Sequence, residues 1–185
     1  EYAYDYTNRG TKAHNAIVSA GGETFMVYVL DKGGKISTVH TGSKCASGTG
    51  EFFLQQIRRM GLTMEEAMDS TKMGTPHRLS SRCTVFCKSD CTHAMNKGIP
   101  KGEVVSGLCE MMGQKIVELM KKVPKKDIML IGGTSQNQRM VDYLKKEFQG
   151  LDIPKSAPYF EALGAALWAT GNKCKPFKGI KKLYI

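Results

Sequence analysis

The chain has 185 residues, 41% of them hydrophobic and 24% charged, which fits one globular domain and excludes a disordered or low-complexity segment as its bulk. No apolar run approaches the roughly 20 residues needed to cross a bilayer and no secretion signal is found, so we expect a cytoplasmic protein without a membrane partner. The net charge of +10 suggests an anionic partner, which could be nucleic acid, a membrane surface, a nucleotide or coenzyme A. Nucleic acid is disfavoured, because no arginine-rich arm or RNA-binding aromatic signature accompanies that charge.

The N-terminal part of the sequence predicts a β-hairpin flanked by a strand and two helices. Two strand-like segments flank Asp31-Lys-Gly-Gly34, whose glycines supply the positive φ that a tight turn needs. Thr63 and Glu66 form a capping-box pattern at the start of the second helix. The predicted elements are a strand over 16–20, hairpin strands over 25–30 and 35–40, a glycine- and serine-rich loop over 42–50, and helices over 51–60 and 64–69.

The rest of the sequence predicts helices that alternate with strands. Between Pro100 and Lys122 the apolar residues recur at helical spacing, so this segment is the longest predicted helix and its methionines are interpreted as core residues. Pro154 and Pro158 limit a short strand that begins at Ile153. Such alternation after a hairpin predicts an α/β fold with a mixed sheet and flanking helices. The remaining elements are helices over 83–96, 137–148 and 161–170, a strand over 127–131 and a basic tail from residue 173.

Three glycine-centred turns stand at strand ends or helix starts, at residues 19–23, 48–50 and 132–137. Glycine has no Cβ, so backbone N–H groups in such turns can approach a phosphate or a purine closely. One such turn is weak evidence, but three within one α/β domain favour nucleotide binding. The sequence contains neither G-x-G-x-x-G nor G-x-x-x-x-G-K-[ST], which disfavours a Rossmann or P-loop site.

Two of the six cysteines, Cys45 and Cys83, stand where a loop runs into a predicted helix. A helix N-terminus favours the thiolate, the form that ligates iron–sulfur clusters. Two such ligands per chain would be completed to four by a two-fold dimer. Alternatively, Cys83, Cys87 and Cys91 share one helical face and act together, as three ligands or as an apolar stripe. The four histidines show no metal-ligand spacing and are predicted at the surface or at helix caps, and no catalytic residue can be assigned.

Four motifs of the chain resemble those of the ATPase activators of 2-hydroxyacyl-CoA dehydratases and the ATPase subunits of benzoyl-CoA reductases. The family pattern runs KCAAGTG, CTVFAESE, GGVAQN and GALGAAL. This chain has KCASGTGEF at 44–52, CTVFCKSD at 83–90, GGTSQN at 132–137 and EALGAALWA at 161–169, in the same order and at similar spacing. The resemblance, to the large activase-like branch in particular, implies the RNase H-like lobe of the actin/hexokinase/Hsp70-like ATPase fold.

Carried onto this chain residue by residue, the resemblance implies an ATP-dependent activator that uses Mg²⁺. Cys45 and Cys83 would hold one [4Fe–4S] cluster between the two subunits of a homodimer. A ferredoxin or flavodoxin would reduce that cluster, and a dehydratase or reductase partner acting on an acyl-CoA would receive the low-potential electron. The residues expected to contact ATP or ADP are Gly21, Gly22 and Glu23 of the second phosphate loop, Gly48 and Thr49 before the helix over 51–60, and Gly132, Gly133, Thr134 and Asn137 around the adenosine.

The chain departs from the family pattern at the second phosphate loop and in its extent. Ser19-Ala-Gly-Gly-Glu-Thr24 stands where the family has DIGGQD, so both acids are replaced, the first of which usually supports Mg²⁺ or its water. Glu23 is a candidate replacement. The family's N-terminal lobe is missing from the sequence, so we interpret residues 1–15 as a connecting stub, 16–172 as the C-terminal ATPase lobe and 173–185 as a basic tail. We expect this lobe alone to be inactive in hydrolysis.

Two other functions stay open for the same residues. The replaced acids favour a nucleotide-binding regulatory or scaffold module without hydrolysis. A lobe of a small-molecule kinase of the same fold is disfavoured, because such kinases have no need for the paired cysteines.

Overall fold

A five-stranded mixed sheet forms the centre of the protein. The computed structural model describes residues 1–8, 12–42, 49–72, 74–81 and 83–172. Within these ranges the strands are β1 (Ala16–Ala20), β2 (Phe25–Leu30), β3 (Ile36–Thr41), β4 (Lys126–Ile131) and β5 (Gln149–Asp152). The helices are α1 (Tyr2–Asn8), α2 (Gly50–Arg59), α3 (Met64–Ser70), α4 (Thr84–Asn96), α5 (Lys101–Leu119), α6 (Gln138–Glu147) and α7 (Phe160–Gly171).

The strand order across the sheet is β3-β2-β1-β4-β5. The first three strands are antiparallel neighbours, whereas β1 pairs with β4, and β4 with β5, in parallel. The predicted hairpin is confirmed: Asp31 Oδ1 accepts hydrogen bonds from the N–H groups of Gly33 and Lys35 at 2.8 and 2.9 Å, and Gly34 has a φ of +75°. β1 therefore joins an antiparallel half of the sheet to a parallel half.

The sheet buries apolar side chains on both faces, because successive residues of a strand point to opposite sides. On one face Val18 and Leu130 pack with α2 to α6 into the main core. On the other face Ile17 and Ile131 pack with α1 and α7 into a second core. All five residues of β1 are buried as a consequence, which is typical of a central strand covered on both faces.

Helix α5 supplies much of the main core. Its buried residues recur at helical spacing and include Val104, Leu108, Met112 and Ile116, so the predicted helix and the interpretation of its methionines as core residues are confirmed. Burying one such side chain contributes roughly 1.5–3 kcal/mol. None of the helices within the described ranges, the 19-residue α5 included, is long and apolar enough to span a membrane.

Two expectations for the C-terminal elements need correction. The predicted short strand does not begin at Ile153: β5 ends at Asp152, because Pro154 lacks the N–H that further pairing with β4 would use. The small residues of α7 predict close packing along the helix. Close packing is found toward α1, where a Cβ on Gly164 would touch Ala3 at 3.4 Å. The rest of α7 is not buried as expected, because Phe160 is its one buried residue in the described structure.

His14 is buried, so its predicted surface position is wrong. Its Nδ1 lies 3.2 Å from the Tyr4 hydroxyl of α1, and its Nε2 lies 3.3 Å from Asp152 Oδ2 at the end of β5. Burial lowers the pKa of His14, an effect opposed chiefly by the charge of Asp152, while Lys12 lowers it and Asp127 raises it by smaller amounts. The side chain therefore links α1 to the far edge of the parallel half of the sheet.

We expect acid to destabilise the protein partly through His14. A histidine whose pKa is lowered by folding leaves the unfolded chain with more bound protons, so stability is full above the ordinary pKa of 6.5 and falls as the pH drops below it. The His14→Gln variant should lose less stability than the wild type between about pH 7.5 and 5.5, which urea denaturation at both pH values measures. An equal loss in the two proteins would contradict the assignment.

Candidate functional site

Three backbone segments converge at the carboxyl ends of β1 and β4. The carbonyl oxygen of Gly21 accepts hydrogen bonds from the N–H of Gly50 at 3.2 Å and from the Thr134 hydroxyl at 3.1 Å. The carbonyl of Gly22 accepts a further one from the N–H of Glu51 at 2.9 Å. The turn after β1 is thus joined to the start of α2 by two backbone hydrogen bonds and to the turn after β4 by the hydroxyl of Thr134.

A cavity of about 310 Å³ opens beside this junction. Its walls combine backbone of the glycine turns with apolar side chains of α2, α3 and α5, the composition typical of a small-molecule pocket. A flat aromatic base fits such walls, because apolar side chains can stack on it while glycine backbone approaches its edge. The lining residues are Gly22, Gly50, Glu51, Phe53, Leu54, Met64, Met68, Met112, Gly133, Thr134, Gln136 and Asn137.

The residues predicted to contact a nucleotide fall into three groups. Lining the cavity are Gly22, Gly133, Thr134 and Asn137. Outside the lining, but in the same three segments, are Gly21, Thr49 and Gly132. Glu23 is exposed in the turn between β1 and β2. Gly48 lies outside the described residues. Their contact with a nucleotide stays a prediction. The apolar wall formed by Phe53, Leu54 and Met64 was not predicted, because such residues at helical spacing resemble ordinary core positions.

The side chains of the turn after β4 are committed to the protein itself. Asn137 Oδ1 accepts a hydrogen bond from the N–H of Met140 at 3.0 Å and so caps α6, and Asn137 Nδ2 lies 3.3 Å from Cys109 Sγ. Burial raises the pKa of the Cys109 thiol to about 12, so it is a neutral thiol at physiological pH. The groups that the turn leaves for a ligand are therefore mainly backbone groups.

Cys83 is the N-cap residue of α4 and is partly exposed. Cys87 and Cys91, one and two turns further on, are only 1% and 4% exposed and belong to the main core. The hydrogen bond between these two thiols, together with burial, holds the pKa of Cys87 well above its ordinary value. These positions favour the apolar-stripe interpretation of Cys87 and Cys91 over three ligands acting together.

The second predicted cluster ligand, Cys45, lies outside the described residues, so its distance from Cys83 stays a prediction. Within the part of the chain that the structure describes, no three His, Cys, Asp or Glu side chains are grouped to hold a metal ion. Next to Cys83, Val85 and Phe86 are 70% and 65% exposed. Sequence reasoning missed this apolar surface, although two large apolar residues on the side of α4 away from Cys87 and Cys91 could have indicated it.

An unpredicted contact lies on the α7 face of the sheet, beside the same turn. Ser19, which stands where the family pattern has its first acid, donates a hydrogen bond to Glu161 Oε1 at 2.9 Å. The Tyr28 hydroxyl lies 3.4 Å from the same oxygen. The only sequence signal for this contact is the Glu that precedes the small-residue run of α7.

Residues 2–169 match the BadF/BadG/BcrA/BcrD ATPase family. The chain belongs to this family. It is 28% identical over 165 residues to the (R)-2-hydroxyglutaryl-CoA dehydratase activating ATPase of Acidaminococcus fermentans, covering 87% of this chain and 63% of that protein. It is 29% identical over 147 residues to one subunit of the benzoyl-CoA reductase of Thauera aromatica, covering 75% of this chain and 52% of that relative. The chain thus spans between half and two thirds of these relatives.

The solved structures show the same fold. The activator of the 2-hydroxyisocaproyl-CoA dehydratase from Clostridium difficile, which was solved with bound ADPNP, superposes with a TM-score of 0.80 at 22% identity, covering 96% of this chain and 69% of that one. The fold is that of the actin/hexokinase-like ATPases, so both the resemblance and the fold class expected from the sequence are confirmed.

Proposed function

We propose that the chain is the C-terminal nucleotide-binding lobe of an ATP-dependent activator that passes a low-potential electron to a 2-hydroxyacyl-CoA dehydratase or benzoyl-CoA reductase-type partner. The observation that carries this proposal is the junction of three glycine turns beside a base-sized cavity, in a member of this ATPase family. The relatives named above, an activating ATPase and a component of a reductase, support the class of partner.

In this function the backbone of Gly22 and Gly133 would bind the nucleotide, with the apolar wall of the cavity shielding its base from water. The Gly21 carbonyl is already occupied by Thr134 and Gly50, so the turn is preorganised before a ligand arrives. The chain covers 63% of the activating ATPase it matches, and we infer that the other side of the nucleotide cleft belongs to the remaining part of that length. Without that part the phosphates would meet solvent, whereas electrostatic stabilisation of a transferring phosphoryl group needs a dry, preorganised site. We therefore expect adenine nucleotide binding at about mM affinity and no hydrolysis by this chain alone.

A [4Fe–4S] cluster would supply the one-electron chemistry of the activator. Cys83 fits a surface cluster, because it is partly exposed and stands at the N-terminus of α4, where its thiol can reach a group outside the core. With Cys45 as second ligand, two chains around a two-fold axis would provide the four thiolates. The net charge of +10 suits an acidic electron donor such as a ferredoxin or flavodoxin.

The second candidate, a nucleotide-binding regulatory module without hydrolysis, is favoured by one observation. Position 19 offers a hydroxyl where a carboxylate would support Mg²⁺. The two candidates differ in the cluster, because a regulatory module has no use for iron.

The test of the proposed function is the iron content of the chain after anaerobic reconstitution with iron and sulfide. We expect about two iron atoms per chain, since one cluster is shared by two chains, and a loss of nearly all iron in Cys45→Ala and in Cys83→Ala. Cys87→Ala and Cys91→Ala are the matched controls on α4 and should keep the iron of the wild type. Iron retained by Cys83→Ala, or lost in the two controls, would contradict this assignment of ligands.

A further inference from the structure

The carboxylate of Glu161 is held at the edge of the glycine turn that follows β1. Ser19 is only 4% exposed, and its hydroxyl donates to Glu161 Oε1 at 2.9 Å. Tyr28, on the neighbouring strand β2, places its hydroxyl 3.4 Å from the same oxygen. Two strands of the sheet therefore direct hydroxyl groups at one oxygen of one carboxylate.

Glu161 also has a defined place in its helix. Glu161 lies in the first turn of the 12-residue helix α7, and the preceding residue, Phe160, is buried in the second core. The partial positive charge at a helix N-terminus favours a carboxylate there. Burial, and then the charge of Glu161, raise the pKa of Tyr28 above its ordinary value, so this group is a neutral phenol that can donate.

The two carboxylate oxygens of Glu161 differ in their hydrogen bonding. Both hydroxyl groups act on Oε1, and among the described residues no group donates to Oε2, while the side chain as a whole is exposed. Ser19 is followed by Ala20, Gly21 and Gly22, so the carboxylate of Glu161 contacts the end of the strand that leads into the turn, and Gly22 of that turn lines the base-sized cavity. A nucleotide with its base in that cavity would extend its phosphates along the turn, towards Glu161.

Mg²⁺ binds through one or two carboxylates together with substrate phosphates, and it prefers oxygen ligands. A carboxylate with one oxygen held by hydroxyl groups and the other oxygen free meets that requirement. With Ser at position 19, β1 itself ends without an acid, so Glu161 brings the missing negative charge from the other end of the sequence.

We propose that Glu161 is the protein carboxylate that binds the Mg²⁺ accompanying the nucleotide phosphates, and that Ser19 and Tyr28 are positioning residues that orient it. This assignment rests on the proposed nucleotide binding. It places the metal on the α7 face of the turn and gives Glu23, the exposed acid within the turn, no part in holding the metal.

The test compares ADP binding to the chain by calorimetry, once with Mg²⁺ and once with EDTA. In the wild type we expect Mg²⁺ to strengthen ADP binding about tenfold, a difference of one decade in Kd. In Glu161→Gln this strengthening should disappear, whereas binding in EDTA should be as tight as in the wild type or tighter, because one charge that repels the phosphates is gone. Glu118→Gln, which removes an exposed acid from α5 away from the cavity lining, should behave as the wild type does.

A second measurement follows the metal directly. Mn²⁺ bound in the presence of ADP, read by electron paramagnetic resonance, should be lost in Glu161→Gln and restored when the carboxylate is moved to the strand in the double variant Ser19→Asp/Glu161→Ala. Ser19→Ala should weaken the Mg²⁺ effect without removing it, since Glu161 keeps its charge but loses its shorter hydrogen bond.

The outcomes distinguish a failure of nucleotide binding from a failure of the metal assignment. If the wild type binds ADP in neither condition, nucleotide binding itself is wrong and the role of Glu161 falls with it. If ADP binds and Glu161→Gln keeps the full Mg²⁺ effect, or Glu23→Gln alone removes it, the metal assignment is wrong while nucleotide binding stands.

Discussion

Replacing Gly132 with alanine should lower the free energy of unfolding by roughly 3 kcal/mol. Gly132 has a φ of +94°, which an L side chain rarely adopts. A Cβ at this position would collide with the Ala20 carbonyl group, lying 2.6 Å from its carbon, and neither group can rotate away because both are backbone at the ends of paired strands. Urea denaturation monitored by circular dichroism measures the loss.

The neighbouring residue gives the matched control. A Cβ on Gly133 would meet no atom within 4 Å, so Gly133→Ala should leave the free energy of unfolding within about 0.5 kcal/mol of the wild type. Because Gly133 lines the cavity, the same variant should weaken ADP binding in calorimetry. Equal destabilisation by both variants would show that the contact with Ala20 is not the cause.

The second large effect is expected at Gly107 in the middle of α5. Alanine normally stabilises a helix interior by up to about 1 kcal/mol relative to glycine. For Gly107→Ala we expect the opposite effect, a loss of roughly 2–4 kcal/mol in the free energy of unfolding. A Cβ at this position would collide with the backbone carbonyl of His77, approaching its carbon to 3.1 Å. The N–H of His77 also donates to the Glu103 carbonyl at 2.9 Å, so displacing this loop would break a second contact with α5.

Ser106, one residue earlier, is the control for changes within this part of α5. Its hydroxyl is buried and has no hydrogen-bond partner among the described residues. Ser106→Ala should therefore raise the free energy of unfolding by about 1 kcal/mol, since an unsatisfied buried hydroxyl is removed. Opposite signs at these adjacent positions, measured by the same urea titration, are the expected result. A stabilising Gly107→Ala would mean that the loop does not pack this closely.

The elements that could be predicted from the sequence are those specified by contacts between residues close together in the chain. The capping box at α3 is one: Thr63 Oγ1 accepts from the N–H of Glu66 at 3.2 Å, and Glu66 Oε2 accepts from the N–H of Thr63 at 2.8 Å. The hydrogen bond from the Thr63 backbone also lowers the pKa of Glu66. A spacing of three residues is enough to specify these contacts, just as the Asp31 turn specifies the hairpin.

Contacts between distant residues could not be predicted in the same way. Ser19 and Glu161 are 142 positions apart, and no periodicity relates them. His14 has no sequence signal for burial either, because the partners that surround it, Tyr4 and Asp152, come from α1 and β5. Helical and strand periods identify the face that is buried, but they do not identify the element that covers it.

The sequence predicted which backbone turns form the candidate site, but not which side chains form the walls of its cavity. Glycines at strand ends indicated where turns approach a ligand, and the structure brings the turns after β1 and β4 together at one cavity. The sequence does not distinguish Met64 and Met112, which line the cavity, from methionines of the core, since a cavity lining and a core interior use the same residue types at the same spacing.

The central position of β1 has a consequence for how the chain folds. Its antiparallel partner β2 follows within a few residues, so this pair can form within about 1–10 μs. Pairing with β4, in contrast, joins positions such as Ala16 and Ile128, which are far apart in the sequence. Loop-closure entropy delays the second event until α5 has formed and shortened the connection. Until then the apolar segment AIVSA presents an unpaired edge on which another nascent chain can pair, so slow folding or high concentration should favour aggregation at this strand.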